Sequence, residues 1–472
     1  MEKPNLKASS QGKTKLSEAR NSKGMSQETL AGLCQCARQT IHSMFQGNNV
    51  RRYIFIAVCE QLNLKWQDIA QPETDETDIV PLEDQNTQPQ IPDEFVEWIK
   101  EITQYFCGRE LVFEVIEQFL AQNLKGYLTL VARPGFGKSA ILAKYVKDRH
   151  VICYFNMLTN GRNRPEFFLD SIRTQLIRRY NLQGVEQAYL ESLLKKASQK
   201  LRSGERLIVV VDALDEVEQE QDLVNLLHLP RTLPDGVYFL LTRRPYISED
   251  KQLKTDLGTP NKELDLTKPE YNNSNQEDIK KYIWRALRGE LSDMLDEVAL
   301  QNWVEAQSDL STQEEFVEAL AIKSENNFLY LKYVLLDITT GKCKNLQVKQ
   351  LPNGLVDYYN RQVRRMRIEG NLIVLYAMVE WITRNHEKIS IQLIVEFSEK
   401  DRYEVSCFLG KNYQFLRVEK NKDEELYTFF HKSFLDHLKS RDELNSDRQL
   451  FNIVNDRISD YNAPMMEKYL DE

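Results

Sequence analysis

The stretch LTLVARPGFGKS, residues 128–139, determines the predicted fold of this chain. Its apolar first part predicts a buried strand, and the rest predicts a turn that leads into a helix. Gly135 and Gly137 let the backbone approach a phosphate without a Cβ in the way, and the Lys138 ammonium can reach terminal phosphates. Ala132 stands where the full pattern begins with glycine, which is tolerable if its φ stays negative. We expect the phosphate-binding residues to be Arg133, Pro134, Gly135, Phe136, Gly137, Lys138, Ser139 and Ala140.

A second apolar strand, LIVVVDALDE at residues 207–216, ends in carboxylates. Asp212 follows five apolar residues, and we expect it to hold Mg²⁺ together with the Ser139 hydroxyl. Asp215 and Glu216 lie just beyond, where each can orient or deprotonate an attacking water. One of these acids can instead cap the following helix, so the choice of base between them stays open. The two strands together predict binding of a nucleoside triphosphate with magnesium.

The composition is that of an ordinary soluble protein with several domains. The chain has 472 residues, of which 42% are hydrophobic and 28% are charged, so it is too long for one core. No apolar stretch is long enough to cross a bilayer, and the polar, lysine-rich N-terminus is unlike a secretory signal. Seven scattered cysteines without a complete metal-ligand pattern fit a reducing compartment. We therefore expect a cytoplasmic protein with no membrane partner.

Residues 1–71 have the pattern of a small helical domain. Ser26 caps a short helix, and after a turn the segment 37–46 predicts a second helix. This plan is a helix-turn-helix, and the sequence resembles the Cro/lambda-repressor type. Ten basic and five acidic residues favour binding of a polyanion, whereas a protein-docking module is the alternative, so DNA and protein partners both stay open. The candidate DNA contacts are Arg38, Gln39, Thr40, His42 and Ser43.

Changes in composition and periodicity mark the other regions. Residues 72–92 contain four prolines and six acids without a basic residue, which predicts an extended linker. Apolar strands then alternate with amphipathic helices as far as residue 258, which is typical of an α/β fold with a mainly parallel sheet. After about residue 260 the pattern is mostly helical, with a predicted hairpin near residues 415–430. The core strands are expected near residues 127–132, 150–156, 206–212 and 237–242.

Five segments occur in the order expected of a NACHT-type STAND ATPase, a family of switch ATPases in signal transduction. They are FCGRE (106–110), ARPGFGKS (132–139), VVVDALDE (209–216), FLLTRRP (239–245) and FFHKSFLDHL (429–438). The chain resembles this family over about residues 95–440. The resemblance implies a multi-domain protein with a helix-turn-helix head and an ASCE-type P-loop core. The implied domains are the head at 1–71, the linker at 72–92, the nucleotide-binding domain at 93–258, a helical domain at 259–350, a winged-helix domain at 351–440 and a helical tail at 441–472.

The resemblance also implies roles for residues outside the two strands. Gly108, Arg109 and Glu110 match a segment near the adenine and ribose. Arg244 matches an arginine that senses the γ-phosphate, with Arg243 in place of the usual serine. His431 matches a histidine that contacts the β-phosphate of ADP and stabilises a closed state. On this basis we expect the catalytic residues to be Lys138, Asp212, Asp215, Glu216 and Arg244.

The implied function is that of a signalling switch. The family resemblance predicts a slow ATPase that binds ATP or ADP with Mg²⁺, changes conformation with the nucleotide, and forms a homo-oligomer when ATP is bound. Bacterial defence is the setting that the resemblance suggests. The alternatives are a DNA-binding transcriptional regulator with a regulatory ATPase domain and a catalytic ATPase with steady turnover.

Overall fold

A computed structural model divides the chain into two compact units, residues 1–85 and 86–472. The predicted linker at 72–92 lies outside the described residues except for its last two positions. The structure describes residues 5–23, 25–34, 38–46, 50–62, 64–66, 69–70, 91–157, 162–185, 188–218, 225–245, 252–308, 310–385, 387–420, 424–440 and 448–470.

In the first unit, the described residues form helices around a small apolar core. Leu16, Leu30, Ile41 and Phe55 are fully buried at its centre. A short antiparallel ribbon joins the start of the unit to the residues before the last helix. The strands are β1 (Asn5–Leu6) and β2 (Val50–Arg51), and the helices are α1 (Ser10–Ser22), α2 (Gln27–Leu33), α3 (Arg38–Gln46) and α4 (Arg52–Gln61).

The second unit is built on a parallel sheet of five strands. These are β3 (Gly126–Val131), β4 (Ile152–Phe155), β5 (Leu207–Asp212), β6 (Val237–Arg243) and β7 (Asn261–Asp265), and their order across the sheet is β4-β5-β6-β3-β7. Every residue of β3 and β5 is buried, because helices cover both faces of a parallel sheet. Strand β6 lies between β3, which leads into the phosphate loop, and β5, which ends in acidic residues. The sheet therefore has the α/β architecture of a P-loop core.

The first helix of the second unit packs onto the sheet. Phe95 and Trp98 of the first helix pack against Phe155 at the end of β4. The phosphate loop connects β3 directly to the helix that begins at Lys138. The helices of the core are α5 (Asp93–Thr103), α6 (Glu110–Gln122), α7 (Lys138–Arg149), α8 (Pro165–Tyr180) and α9 (Leu190–Ser198).

The strand β7 corrects one expectation from the sequence. It pairs in parallel with β3, so the sheet continues beyond the boundary expected at residue 258. Three of its five residues are exposed, because it lies at the edge of the sheet and only Leu264 is buried. The sequence NKELD therefore has no apolar run that would have predicted a strand.

The remainder of the second unit is mainly helical and contains a small antiparallel sheet. This sheet has the order β8-β10-β9 and contains the hairpin predicted near residues 415–430. Its strands are β8 (Ile389–Ser390), β9 (Leu416–Lys420) and β10 (Glu425–Phe429). The helices are α10 (Asn272–Leu287), α11 (Glu297–Glu305), α12 (Gln313–Ser324), α13 (Phe328–Thr339), α14 (Gly354–Ile368), α15 (Leu372–Asn385), α16 (Ile391–Ser398), α17 (Arg402–Lys411), α18 (Lys432–Lys439) and α19 (Arg448–Leu470).

Within the described ranges, no helix combines the length and the apolar character that a bilayer crossing requires.

Candidate nucleotide-binding site

The phosphate loop has the backbone geometry that its glycines predict. Gly135 and Gly137 adopt φ values of +82° and +86°, which are unstrained for glycine alone. Ala132 is buried and keeps a negative φ, so alanine in place of glycine does not strain the loop. The Lys138 ammonium lies against the loop, 2.7 Å from the Ala132 carbonyl oxygen. Burial lowers the pKa of Lys138, while Asp215 and Asp212 oppose this shift.

The end of β5 brings a buried carboxylate next to the start of α7. Asp212 is 3% exposed, and its carboxylate accepts hydrogen bonds from the Ser139 and Thr242 hydroxyls. Burial raises the pKa of Asp212, and these two hydrogen bonds act against the rise. A carboxylate and a hydroxyl in contact beside a phosphate loop are oxygen ligands of the kind that Mg²⁺ takes. The residues present therefore fit a magnesium ion.

Asp215 and Glu216 occupy different environments although they are adjacent. The Asp215 carboxylate accepts from the Arg244 backbone N–H at 3.2 Å and from its Nε at 2.7 Å. Within the described part of the chain, the Glu216 carboxylate forms no ion pair. Burial raises the pKa of Glu216 to about 7, although Lys432 opposes the shift. Asp215 is thus tied to an arginine, whereas Glu216 keeps a carboxylate with a pKa suited to accepting a proton near neutral pH.

The two arginines at the end of β6 point to different places. Arg243 pairs with Glu263 of the edge strand β7, which lies beyond β3 in the sheet, at 2.6 Å. Arg244 lies in the cavity beside the loop and contacts both Asp215 and Asp436, the latter at 2.6 Å from Nη1. Of the two arginines, only Arg244 lines the cavity. Arg244 is also the residue to which the family resemblance gives the role of phosphate sensor.

His431, which precedes α18, lines the same cavity. It caps α18, and its Nδ1 accepts the Ser433 backbone N–H at 3.1 Å. The proton of the neutral ring therefore belongs on Nε2. Burial, together with the nearby Arg244 and Lys138, lowers the pKa of His431 to about 3, so the ring is neutral at pH 7. The His431 Nδ1 also lies 2.7 Å from the Ser433 hydroxyl, which in turn is hydrogen-bonded to the Tyr359 hydroxyl. These hydrogen bonds fix the orientation of the ring.

The Arg109 side chain stabilises the phosphate loop by a hydrogen bond to its backbone. It is 3% exposed and has a φ of +70°, and its Nη2 donates to the Phe136 carbonyl oxygen at 2.7 Å. Its Nη1 contacts Asn275 and lies 3.8 Å from Asp278, and its backbone N–H donates to Asp278 at 3.1 Å. Burial lowers the pKa of Arg109, and Asp278 opposes this shift. One guanidinium thus connects the phosphate loop to α10.

Its two sequence neighbours do not line the cavity. Glu110 is exposed and pairs with Lys281 at 3.1 Å. Gly108 has a φ of +70°, and a Cβ added there would lie 2.2 Å from Asp278, so only glycine fits. Among these three residues, the structure brings only Arg109 to the cavity.

The N-terminus of α13 also holds the phosphate loop. The Asn327 side-chain amide donates to the Pro134 carbonyl oxygen at 2.9 Å, and the Phe328 backbone N–H donates to that of Gly135 at 2.9 Å. The Phe328 ring lies against Arg109, 4.9 Å from its guanidinium carbon. Sequence analysis assigned no role to Asn327 or Phe328, because their contacts join segments that are about 193 positions apart.

These elements enclose a cavity of about 520 Å³. Its phosphate end is lined by Pro134, Gly135, Gly137, Lys138, Ser139 and Ala140, together with Asp215, Glu216, Arg244 and His431. Its other end is aromatic, with Tyr105, Tyr282 and Phe328. Arg133, Phe136 and Asp212 do not line it: Phe136 and Asp212 are buried, and Arg133 is exposed. Thr242, which sequence reasoning missed within FLLTRRP, does line it.

The candidate DNA contacts are described only in part. Thr40, His42 and Ser43 lie on α3, and His42 is exposed whereas the other two are half-buried. The side chains of Arg38 and Gln39 lie outside the described residues.

Comparison with known proteins agrees with a P-loop core. A family model described as "Nephrocystin 3, N-terminal" matches residues 114–244, which include the phosphate loop and strands β3 to β6. No curated protein sequence matches the chain. The loop, the acidic end of β5 and the order of the five strands define an α/β P-loop NTPase core.

Two groups of solved structures are similar to the chain at low scores. Drosophila ORC bound to DNA is 12% identical, with a TM-score of 0.31 over 73% of this chain and 98% of that one. The Thermotoga maritima RuvB Holliday junction branch migration motor is 12% identical, with a TM-score of 0.24 over 75% of this chain and 99% of that one.

Proposed function

We propose that the chain is a signalling switch ATPase of the NACHT-type STAND class, which binds ATP or ADP with Mg²⁺ and hydrolyses ATP slowly. One observation carries this proposal: the phosphate loop and His431 of the C-terminal region line the same cavity. A nucleotide held there contacts both regions at once. Because a ligand shifts a conformational equilibrium only through its differential contacts, this arrangement lets the nucleotide control the position of the C-terminal region.

The chemistry of hydrolysis can be assigned to the residues of this site. Lys138 and the loop N–H groups bind the phosphates, and Ser139 with Asp212 would hold Mg²⁺, which neutralises charge on the phosphates when bound. We assign Glu216 as the base that orients and deprotonates the attacking water, because Asp215 is already paired with Arg244. A His431 ring that is neutral, with its proton on Nε2, is a donor to a phosphate oxygen.

The other regions have roles consistent with this switch. The segment 351–440, which contains helices α14 to α18 and the β8-β10-β9 sheet, is the proposed winged-helix domain, and it carries His431. Helices α2 and α3 form the proposed helix-turn-helix head, which acts as the output module toward DNA or a protein partner. The ATP-bound protein assembles into a homo-oligomer.

The nucleotide that co-purifies with the protein tests the proposal. We expect the denatured wild type to release ADP, Lys138→Ala to release none, and His431→Ala to retain less ADP. His42→Ala, on the exposed surface of the first unit, is the matched control and retains as much ADP as the wild type. A wild type that neither carries nor binds a nucleotide contradicts the whole proposal. Normal ADP retention by His431→Ala contradicts the role of the histidine alone.

A further inference from the structure

The Arg244 guanidinium is shared between two carboxylates that come from distant parts of the chain. Its Nε lies 2.7 Å from Asp215 after β5, and its Nη1 lies 2.6 Å from Asp436 on α18. The side chain of Arg244 is 24% exposed, and those of Asp215 and Asp436 are 13% and 33% exposed. Asp436 and Asp215 together raise the pKa of Arg244, so the guanidinium stays charged in this setting. One ion pair therefore anchors α18 to the catalytic edge of the sheet.

This ion pair lies where a terminal phosphate would bind. Arg244 lines the cavity together with Lys138, and it is close enough to act on the pKa of that lysine. The lysine of such a loop reaches the β- and γ-phosphates. A guanidinium binds phosphate and carboxylate through the same N–H donors, so the two anions compete for Arg244.

We propose that Asp436 is the residue that makes the site distinguish a nucleoside triphosphate from a diphosphate, an inference that rests on the proposed function. With a diphosphate, Arg244 keeps its pair with Asp436, and α18 stays on the core. The third phosphate of a triphosphate adds negative charge beside Arg244, takes its N–H donors and repels the Asp436 carboxylate. Release of Asp436 then frees α18 from the core.

Asp436 and His431 have different parts in this scheme. His431 is a neutral donor beside the phosphates, so it contributes to binding of both nucleotides. Among the described residues, the ion-pair partner of the Asp436 carboxylate is Arg244, so Asp436 acts against the triphosphate and has little effect on the diphosphate. Asp436 is thus a specificity-determining residue, and its effect is measured by the ratio of the affinities for the triphosphate and the diphosphate.

The test removes the charge of Asp436 and measures both nucleotides. Asp436→Asn keeps the size of the side chain, and we expect it to bind a non-hydrolysable ATP analogue at least about 10-fold more tightly, while its ADP affinity changes less than about 3-fold. Asp436→Glu keeps the charge and is expected to retain the wild-type ratio. Asp235→Asn, which removes an exposed carboxylate paired with Lys125, is the matched control and keeps the ratio as well.

A second measurement follows α18 itself. Hydrogen exchange is expected to show protection of residues 432–439 in the wild type with ADP and loss of protection with the ATP analogue, and Asp436→Glu keeps this difference. Should Asp436→Asn not fold, the smaller Asp436→Ser removes the same charge. An unchanged ratio of affinities in the charge-removed variant overturns the inference. Absence of nucleotide binding in the wild type refutes the proposed function instead.

Discussion

Replacement of Arg109 by methionine tests the support of the phosphate loop most directly. The change keeps an unbranched side chain and removes the guanidinium that contacts Asp278, Asn275 and the Phe136 carbonyl. The Asp278 side chain is 4% exposed, and breaking a buried ion pair by removing one partner costs about 3–5 kcal/mol. We expect a loss of that size in the free energy of unfolding, out of about 5–15 kcal/mol for a typical domain.

The loss in this variant should depend on pH. Burial already raises the pKa of Asp278, and removal of Arg109 raises it further, because the guanidinium was opposing the rise. A carboxyl group with a raised pKa in the folded state contributes stability below its unfolded pKa and loses it as the pH rises through its folded pKa. The gap between wild type and Arg109→Met is therefore smaller at pH 5 than at pH 8.

Urea denaturation followed by tryptophan fluorescence measures this gap, with Trp98 and Trp284 as reporters near the site. The double variant Arg109→Met/Asp278→Asn removes both charges and is expected to recover part of the stability. The single variant Asp278→Asn completes the cycle. A loss below about 1 kcal/mol for Arg109→Met, or exact additivity of the two single changes, refutes the reasoning from a buried ion pair.

Three further changes probe the cavity. Glu216→Gln is expected to slow phosphate release by about 10²–10⁴-fold, and the wild-type rate should rise between pH 6 and 8, because the base acts when deprotonated and its pKa is about 7. Gly135→Ala should abolish binding of a fluorescent nucleotide, since the added Cβ would lie 2.2 Å from the Asn327 side chain at a φ of +82°. Thr242→Val removes a hydroxyl that donates to the buried Asp212, so we expect a loss of about 1–3 kcal/mol in thermal unfolding experiments.

Matched variants separate these effects from general damage. Gly137→Ala adds a Cβ at a similar φ but with no neighbouring atom within 4 Å, so it should bind nucleotide better than Gly135→Ala. Thr232→Val removes an exposed hydroxyl bonded to Asp256 and is expected to be nearly neutral. Equal affinities of the two alanine variants contradict the steric argument, and a flat pH profile contradicts the assignment of the base.

The sequence predicted four of the five strands, β3 to β6, because their signals are local. Strands β3 and β5 are continuous apolar runs that end in a glycine-rich loop and in acids, and these patterns need no knowledge of distant contacts. The edge strand β7 was not predicted, because most of its residues are exposed and polar or charged. The hairpin of β9 and β10 was predicted from its alternating residues and is present.

The remainder of the site depends on contacts that no local pattern encodes. Asn275 and Asp278 meet Arg109 across more than 160 positions of the chain, and Asn327 meets Pro134 across 193. The resemblance assigned residues 108–110 together to the adenine and ribose, yet Arg109 points inward while Glu110 points to solvent. The pairing of Asp215 with Arg244 likewise separates two acids that the sequence left equivalent.

The hydrogen bonds that connect α10 and α13 to Arg109 and the phosphate loop determine which fragments of the chain can form the binding site. A fragment that ends with the sheet at residue 265 retains every phosphate-binding motif, but it lacks Asn275, Asp278 and Asn327. Such a fragment would leave Arg109 without its acceptors on α10, and it would leave the Pro134 and Gly135 carbonyls without their donors on α13. A piece that presents a formed loop therefore has to include α10 and the N-terminus of α13 as well as the sheet. The boundary of the binding unit follows hydrogen bonds rather than the edge of the sheet.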